Sequence, residues 1–265
     1  MGKSVFFAKN MTELLYQLKT IKDIRIVGGC TRLHELPEKS ISTHGIKELS
    51  QIVRHERYLD VGAGTTLSQL LELGQNHLPQ VLYDALRSIA NPAVRNMATV
   101  GGNICAEGHK LTLCAPLMAL DTRLEFRNQS DTLYEPFSGN MRIPDGFILS
   151  NVRIPYPDAD ISVFKRIGPE HSITAQSASF AFLAGMEKNS LSSVRLTFAG
   201  PFTFRSRELE NSLIGKRIPL TQKSVSDIQS AVKAEFQKAA ADQMISDVVR
   251  QQFFNLTRYS FEQLT

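Results

Sequence analysis

The chain has 265 residues, 42% of them hydrophobic, which is long enough for one large domain or two ordinary ones, each with its own core. A formal net charge of +4 is too mild to argue for nucleic acid, and no apolar run approaches the roughly eighteen residues of a membrane span. Cys30, Cys105 and Cys114 lack C-x-x-C spacing, are too few for the four thiolates of an iron–sulfur cluster, and read as small buried thiols.

The first residues, Met1 to Lys9, have too short an apolar core for a secretory signal, so a cytoplasmic location is expected. Thr12 is placed to cap a helix carrying Leu14, Leu15 and Leu18 on one face, followed by a short strand, Ile24 to Val27, that delivers the turn Gly28-Gly29-Cys30-Thr31-Arg32-Leu33. Ile46 to Val53 and Tyr58 to Val61 read as strands. Gly62-Ala63-Gly64 is a turn, and Thr65 or Thr66 caps a helix bearing Leu67, Leu70 and Leu71. Leu78 to Ile89 looks helical and feeds a long loop that ends at Asn103; Leu111 to Leu120 is an apolar helix expected to run beneath it.

Two prolines and two aspartates between Pro155 and Asp160 mark a boundary. Beyond it, Ser177 to Ala184 and Val194 to Ala199 read as strands of an antiparallel hairpin joined by the polar turn Glu187 to Ser190. From Ser206 the chain reads as helical, with Val225, Ile228, Val232 and Phe236 at helical spacing, then Val248, Val249, Phe253 and Leu256. Strands followed by helices imply a small α+β domain.

The chemistry-bearing residues are few. His34, His44, His55, His77, His109 and His171 have no metal-ligand spacing, no G-x-S-x-G or Cys/His pair offers a nucleophile, and Glu208 and Glu210 read as a solvated helix face. What stands out is the run Asn91 to Asn103, with Thr99-Val100-Gly101-Gly102-Asn103 at its end. Adjacent glycines permit φ > 0 and a close approach to a ligand, Thr99 and Asn103 add side-chain hydrogen bonds, and successive amides suit a phosphate. Together with Gly28-Gly29 it could hold a diphosphate from two sides. Neither loop fits the Rossmann or P-loop pattern. Nucleotide loops without an acid, base or metal site leave the reaction to a cofactor.

These two loops resemble those of the FAD-binding, or medium, subunit of the molybdenum hydroxylases, the family of xanthine dehydrogenase and aerobic carbon monoxide dehydrogenase. Gly28 to Leu33 is similar to the family's first loop, A-G-G-T-D-L or G-N-T-E-I, and Pro92 to Asn103 matches every defined position of its second, P-x-(V/I)-R-N-x-x-T-(I/V)-G-G-N. Ile148 to Pro155, Phe164 to Ile167, Arg195 to Gly200 and Leu213 to Lys216 extend the likeness over nearly the whole chain. The resemblance implies an α+β fold: a two-part FAD-binding domain of the PCMH or vanillyl-alcohol-oxidase type over residues 1–157, with subdomains of about 1–54 and 55–157, then a C-terminal sheet-and-helix domain over 158–265.

It also implies a cofactor site. Ile26, Val27, Gly28, Gly29, Cys30, Thr31, Arg32 and Leu33, with Asn96, Thr99, Val100, Gly101, Gly102 and Asn103, would cradle FAD. Ile89 and Leu149 would lie against the isoalloxazine, and Lys165 near it. Three positions depart from the family: Thr112 stands where an Asp or Glu is usual, Arg32 where an acid is common, and Cys30 where Gly or Asn is usual. By the same resemblance, molybdopterin and [2Fe–2S] clusters belong to a large and a small partner subunit, and FAD here passes electrons to a final acceptor such as NAD. A free-standing flavin oxidoreductase, and a degenerate flavin fold serving as a scaffold, remain as alternatives.

Overall fold

The computed structural model of the chain describes residues 2–108, 110–169 and 172–265. Of the histidines named above, His109 and His171 lie outside them. The described residues divide into two compact units that do not follow chain order: Met1–Leu78, Ile89–Glu107 and Leu120–Tyr156 form one, and Pro79–Ser88, Gly108–Ala119 and Pro157–Thr265 the other.

In the first unit, strands β1 (Ser4–Phe7), β2 (Arg25–Val27) and β3 (Lys39–Ser42) form a parallel sheet in the order β1-β3-β2. The helix between β1 and β2 spans Met11–Thr20. Its cap is Asn10, not Thr12: the Asn10 side chain accepts the Glu13 amide at 2.9 Å, and Glu13 in turn accepts the Lys9 amide. Met11, Leu14 and Leu15 fall on one helical face and close over Ile41, Ile46 and Leu49. The strand expected over Ile46–Val53 is a 3-10 turn, Lys47–Leu49, followed by β4 (Ile52–Arg54), because both Ile46 and Leu49 turn into this core.

The rest of the unit is an antiparallel sheet of β4, β5 (Tyr58–Gly62), β6 (Arg123–Arg127), β7 (Thr132–Pro136) and β8 (Ile148–Pro155), in the order β4-β5-β8-β6-β7. β8 is central. Val152 opposes Val61 on one side and Leu124 on the other; Ile148 to Ser150 are all buried, and from Ser150 on buried and half-buried residues alternate as the pleat requires. Asp60 on β5 pairs bidentately with Arg153 on β8, at 2.8 and 2.9 Å, and Arg153 lies over the Tyr58 ring. Burial acts to raise the Asp60 carboxyl, but the Arg153 bonds and charge outweigh it and hold the group below the ordinary carboxylate range.

The second unit is built on β9 (Ile161–Ile167), β10 (Ala178–Glu187), β11 (Ser190–Ala199) and β12 (Thr203–Phe204), antiparallel in the order β12-β11-β10-β9. The predicted hairpin is present and longer than expected; Lys188 and Asn189 take φ of 48° and 64° at its tip, the left-handed pair a two-residue turn needs. Helices Gln222–Ala239 and Asp247–Glu262 bring Phe236 and Phe253 onto the sheet, with rings stacked 4.1 Å apart among Phe180, Phe198 and Phe204. The helix Cys114–Ala119, shorter than predicted, docks on the same sheet through the Thr197 hydroxyl, which donates to the Ala115 carbonyl at 2.9 Å.

Two further expectations differ from the structure. Glu210 is not a solvated face: it is 5% exposed, accepts the Leu196 amide at 3.0 Å and is gripped by Arg205, whose Nη1 donates to the Met118 carbonyl. Nor are all three thiols buried, since Cys30 is exposed. Among the described residues no helix is long and apolar enough to cross a membrane.

Candidate cofactor site

Both glycine segments lie in the first unit and meet there. The long loop expected between Asn91 and Asn103 is in fact two short helices. Asn91 caps Pro92–Met97 by accepting the Val94 amide at 2.9 Å, with Pro92 in the first turn; Thr99 caps Val100–Ile104 by accepting the Gly102 amide at 3.0 Å. A bridge between Thr66 and Thr99 joins this segment to the helix Leu67–Leu71, which Thr66 caps. Ser68 donates to Asn96 Oδ1 at 2.5 Å.

The glycines serve close approach, not left-handed backbone. None of Gly28, Gly29, Gly101 and Gly102 has positive φ; Cys30 does, at 56°, which costs a side-chain-bearing residue roughly 1–2 kcal/mol. Its thiol donates to the Gly28 carbonyl at 3.3 Å. A Cβ on Gly29 would stand 1.6 Å from the Met97 carbonyl oxygen, and one on Gly28 2.8 Å from Thr99 Oγ1. Only a backbone without side chains lets the first loop rest on the second.

The hydrogen bonds divide the labour between them. In the second segment the Val100 and Gly101 amides donate to the Thr65 and Ala63 carbonyls at 2.9 and 2.7 Å, Gly102 to Thr99 Oγ1, and Asn103 to the Thr99 carbonyl. Those donors are engaged. In the first loop the amides of Gly28, Gly29, Cys30 and Thr31 donate to no group among the described residues, and exposed Arg32 forms no ion pair there. Four open amides and a guanidinium on a backbone platform fit a diphosphate, so the residues present suit FAD.

The remaining expected residues are placed as follows. Ile26 and Val27 lead into the first loop, Ile26 against the parallel-sheet core and Val27 buried, while Leu33 is exposed. Ile89 is half-buried and its carbonyl accepts from Arg95. Leu149, 3% exposed, lies on β8 opposite Phe126, beside Ser150, whose carbonyl accepts the Ala63 amide at 3.0 Å. Thr112, buried, and Lys165, exposed on β9, belong to the second unit. Burial pushes the Cys105 thiol up to about 12 and the Cys114 thiol likewise, the latter despite Lys110 nearby. Among the described residues no three His, Cys, Asp or Glu side chains gather as a metal site.

Sequence reasoning did not assign roles to Arg95, to the Met97 carbonyl or to the Ala63 and Thr65 carbonyls. Arg95 stood inside the matched pattern without a function, and a carbonyl leaves no mark in a sequence.

Residues 2–157 match the family model described as the FAD binding domain in molybdopterin dehydrogenase. Over 205 residues the chain is 27% identical to the xanthine dehydrogenase FAD-binding subunit of Escherichia coli O157:H7, covering 72% of this chain and 69% of that one. Over 248 residues it is 23% identical to the nicotinate dehydrogenase FAD-subunit of Eubacterium barkeri, covering 83% and 82%. A chain of carbon monoxide dehydrogenase from Hydrogenophaga pseudoflava superposes with a TM-score of 0.80 at 18% identity, covering 100% of this chain and 96% of that one, and so shares the fold. The chain therefore belongs to the family of FAD-binding domains found in molybdopterin dehydrogenases.

Proposed function

We propose that this chain is the FAD-binding electron-transfer subunit of a molybdenum hydroxylase-like dehydrogenase. It works with a large molybdopterin-binding subunit and a small [2Fe–2S] subunit, and passes electrons to a final acceptor such as NAD. The observation that supports this most is the seat of Gly29 on the Met97 carbonyl, which leaves the open amides of Gly28 to Thr31 grouped on one platform. When bound, FAD supplies the exchange between one-electron and two-electron transfer.

The chain's own residues bind and orient. The first loop donates its amides to the diphosphate, and Arg32 adds a cation where the family commonly has an acid. The second segment, its amides already engaged, forms the wall against which the first loop is fixed. No substrate acid or base is required of this subunit.

Titration of the purified full chain with FAD tests the cofactor. Co-purification from the native source tests the assembly: a large molybdopterin-containing chain and a small iron–sulfur chain should accompany it. A flavin-loaded protein that purifies alone and oxidises a substrate by itself would contradict the subunit role.

A further inference from the structure

The turn that enters the helix Pro92–Met97 is held in an unfavourable shape by one side chain. Ala90 has φ of 43°, in the left-handed region that a Cβ disfavours. From the last turn of the helix that follows, Arg95 reaches back and donates from Nη1 to two carbonyl oxygens, Ile89 at 2.7 Å and Ala90 at 2.9 Å. Asn91 caps the same helix, so turn and helix are braced at both positions. At the helix's other end Met97 presents the carbonyl on which Gly29 rests, with no room for a methyl group between them.

The direction in which this helix leaves its turn therefore sets the separation of the two glycine segments. We infer that Arg95 is a positioning residue for the cofactor: by holding Ile89 and Ala90 it fixes Met97 against Gly29 and keeps the first loop's amides aimed at a diphosphate. This rests on the reading that those loops hold FAD.

The test uses the full chain and FAD itself, with affinity read from flavin fluorescence and the setting of the ring from the bound-flavin visible spectrum. Arg95→Met should bind FAD roughly ten- to a hundredfold more weakly, with a changed spectrum. Ala90→Gly alone should bind as the wild type does. Placed together with Arg95→Met, it should recover much of the lost affinity, because glycine adopts φ near 43° without the cost that a Cβ imposes there.

Wild-type affinity and spectrum in Arg95→Met would overturn the inference, and so would a loss that Ala90→Gly leaves untouched, since a general structural role predicts no such rescue. If Arg95→Met fails to fold, Arg95→Lys with and without Ala90→Gly carries the same comparison. A wild-type chain that takes up no FAD would refute the proposed function and this inference with it. Wild-type binding with an indifferent Arg95 would remove the inference alone.

Discussion

Gly29→Ala is the sharpest perturbation of the site, because the new methyl meets backbone. Its Cβ would stand 1.6 Å from the Met97 oxygen, 2.4 Å from the Met97 carbonyl carbon and 3.1 Å from the Ala98 nitrogen. Real Cβ atoms essentially never come within 3.0 Å, so the two segments must part by 3.0 − 1.6 = 1.4 Å. Neither partner is a flexible side chain that could swing aside, which places the stability cost near the upper end of the roughly 1–3 kcal/mol of overpacking. That corresponds to a fall of roughly 6–12 °C in Tm. The effect on FAD should be larger. Misdirecting two amide bonds to a charged diphosphate costs roughly 1.5–3 kcal/mol each, so Kd should rise by more than about a hundredfold.

The assay is a fluorescence titration with FAD beside a thermal melt, with Gly200→Ala as the control. That Cβ would stand 2.5 Å from the Ala178 Cβ, in the sheet of the second unit, and should lower Tm without a comparable loss of affinity. Wild-type affinity in Gly29→Ala, or equal losses in the two variants, would show that the seat of Gly29 on Met97 does not set the cofactor site.

Glu210→Ala takes the carboxylate from the half-buried Arg205 guanidinium, which keeps its bond to the Met118 carbonyl, and leaves the buried Leu196 amide without its acceptor; it should cost roughly 3–5 kcal/mol in a thermal or urea melt, and a loss under about 1 kcal/mol would contradict that. Asp60 is held below the ordinary carboxylate range when folded, so its pairing contributes fully above about pH 4 and is lost as pH falls through the lower folded value. Melts from neutral pH down to about pH 3 should therefore show a steeper decline for the wild type than for Asp60→Asn. Burial raises all three thiols, but Cys30 is exposed while Cys105 and Cys114 are pushed up to about 12, so maleimide at neutral pH should label Cys30 first in the native chain, and excess FAD should slow that labelling; mass spectrometry of the digest reads both.

Local signals in the sequence carried the elements that depend on local chemistry. The polar Glu187 to Ser190 turn marked its hairpin, the 3.6-residue spacing of Val225 to Phe236 marked its helix, and Thr66 marked a cap. Readings failed where a distant partner decides. Glu210 looks like a surface acid until Arg205 and the β11 backbone are brought to it, and the Ile46–Val53 run looks like a strand until Ile46 and Leu49 are drawn into a core shared with the first helix.

The helices on either side of Ala98 were missed for a different reason. Asn91-Pro92 and Thr99 are cap signals, but the glycine pair beyond them suggested an irregular loop, and glycine's use for close approach cannot be told from its use for positive φ without the opposing backbone. The site was legible as two segments. That the amides of Val100 and Gly101 are engaged, and that Gly29 rests on the second segment, depends on the carbonyls of Ala63, Thr65 and Met97, which any residue could provide.

Whether the joined glycine segments hold FAD is read most plainly from the visible spectrum of the purified full chain, with any released cofactor identified by mass and the protein then titrated with FAD. One FAD per chain is expected, either carried through purification or taken up on titration. A colourless chain whose spectrum and melting temperature are unmoved by excess FAD would contradict it.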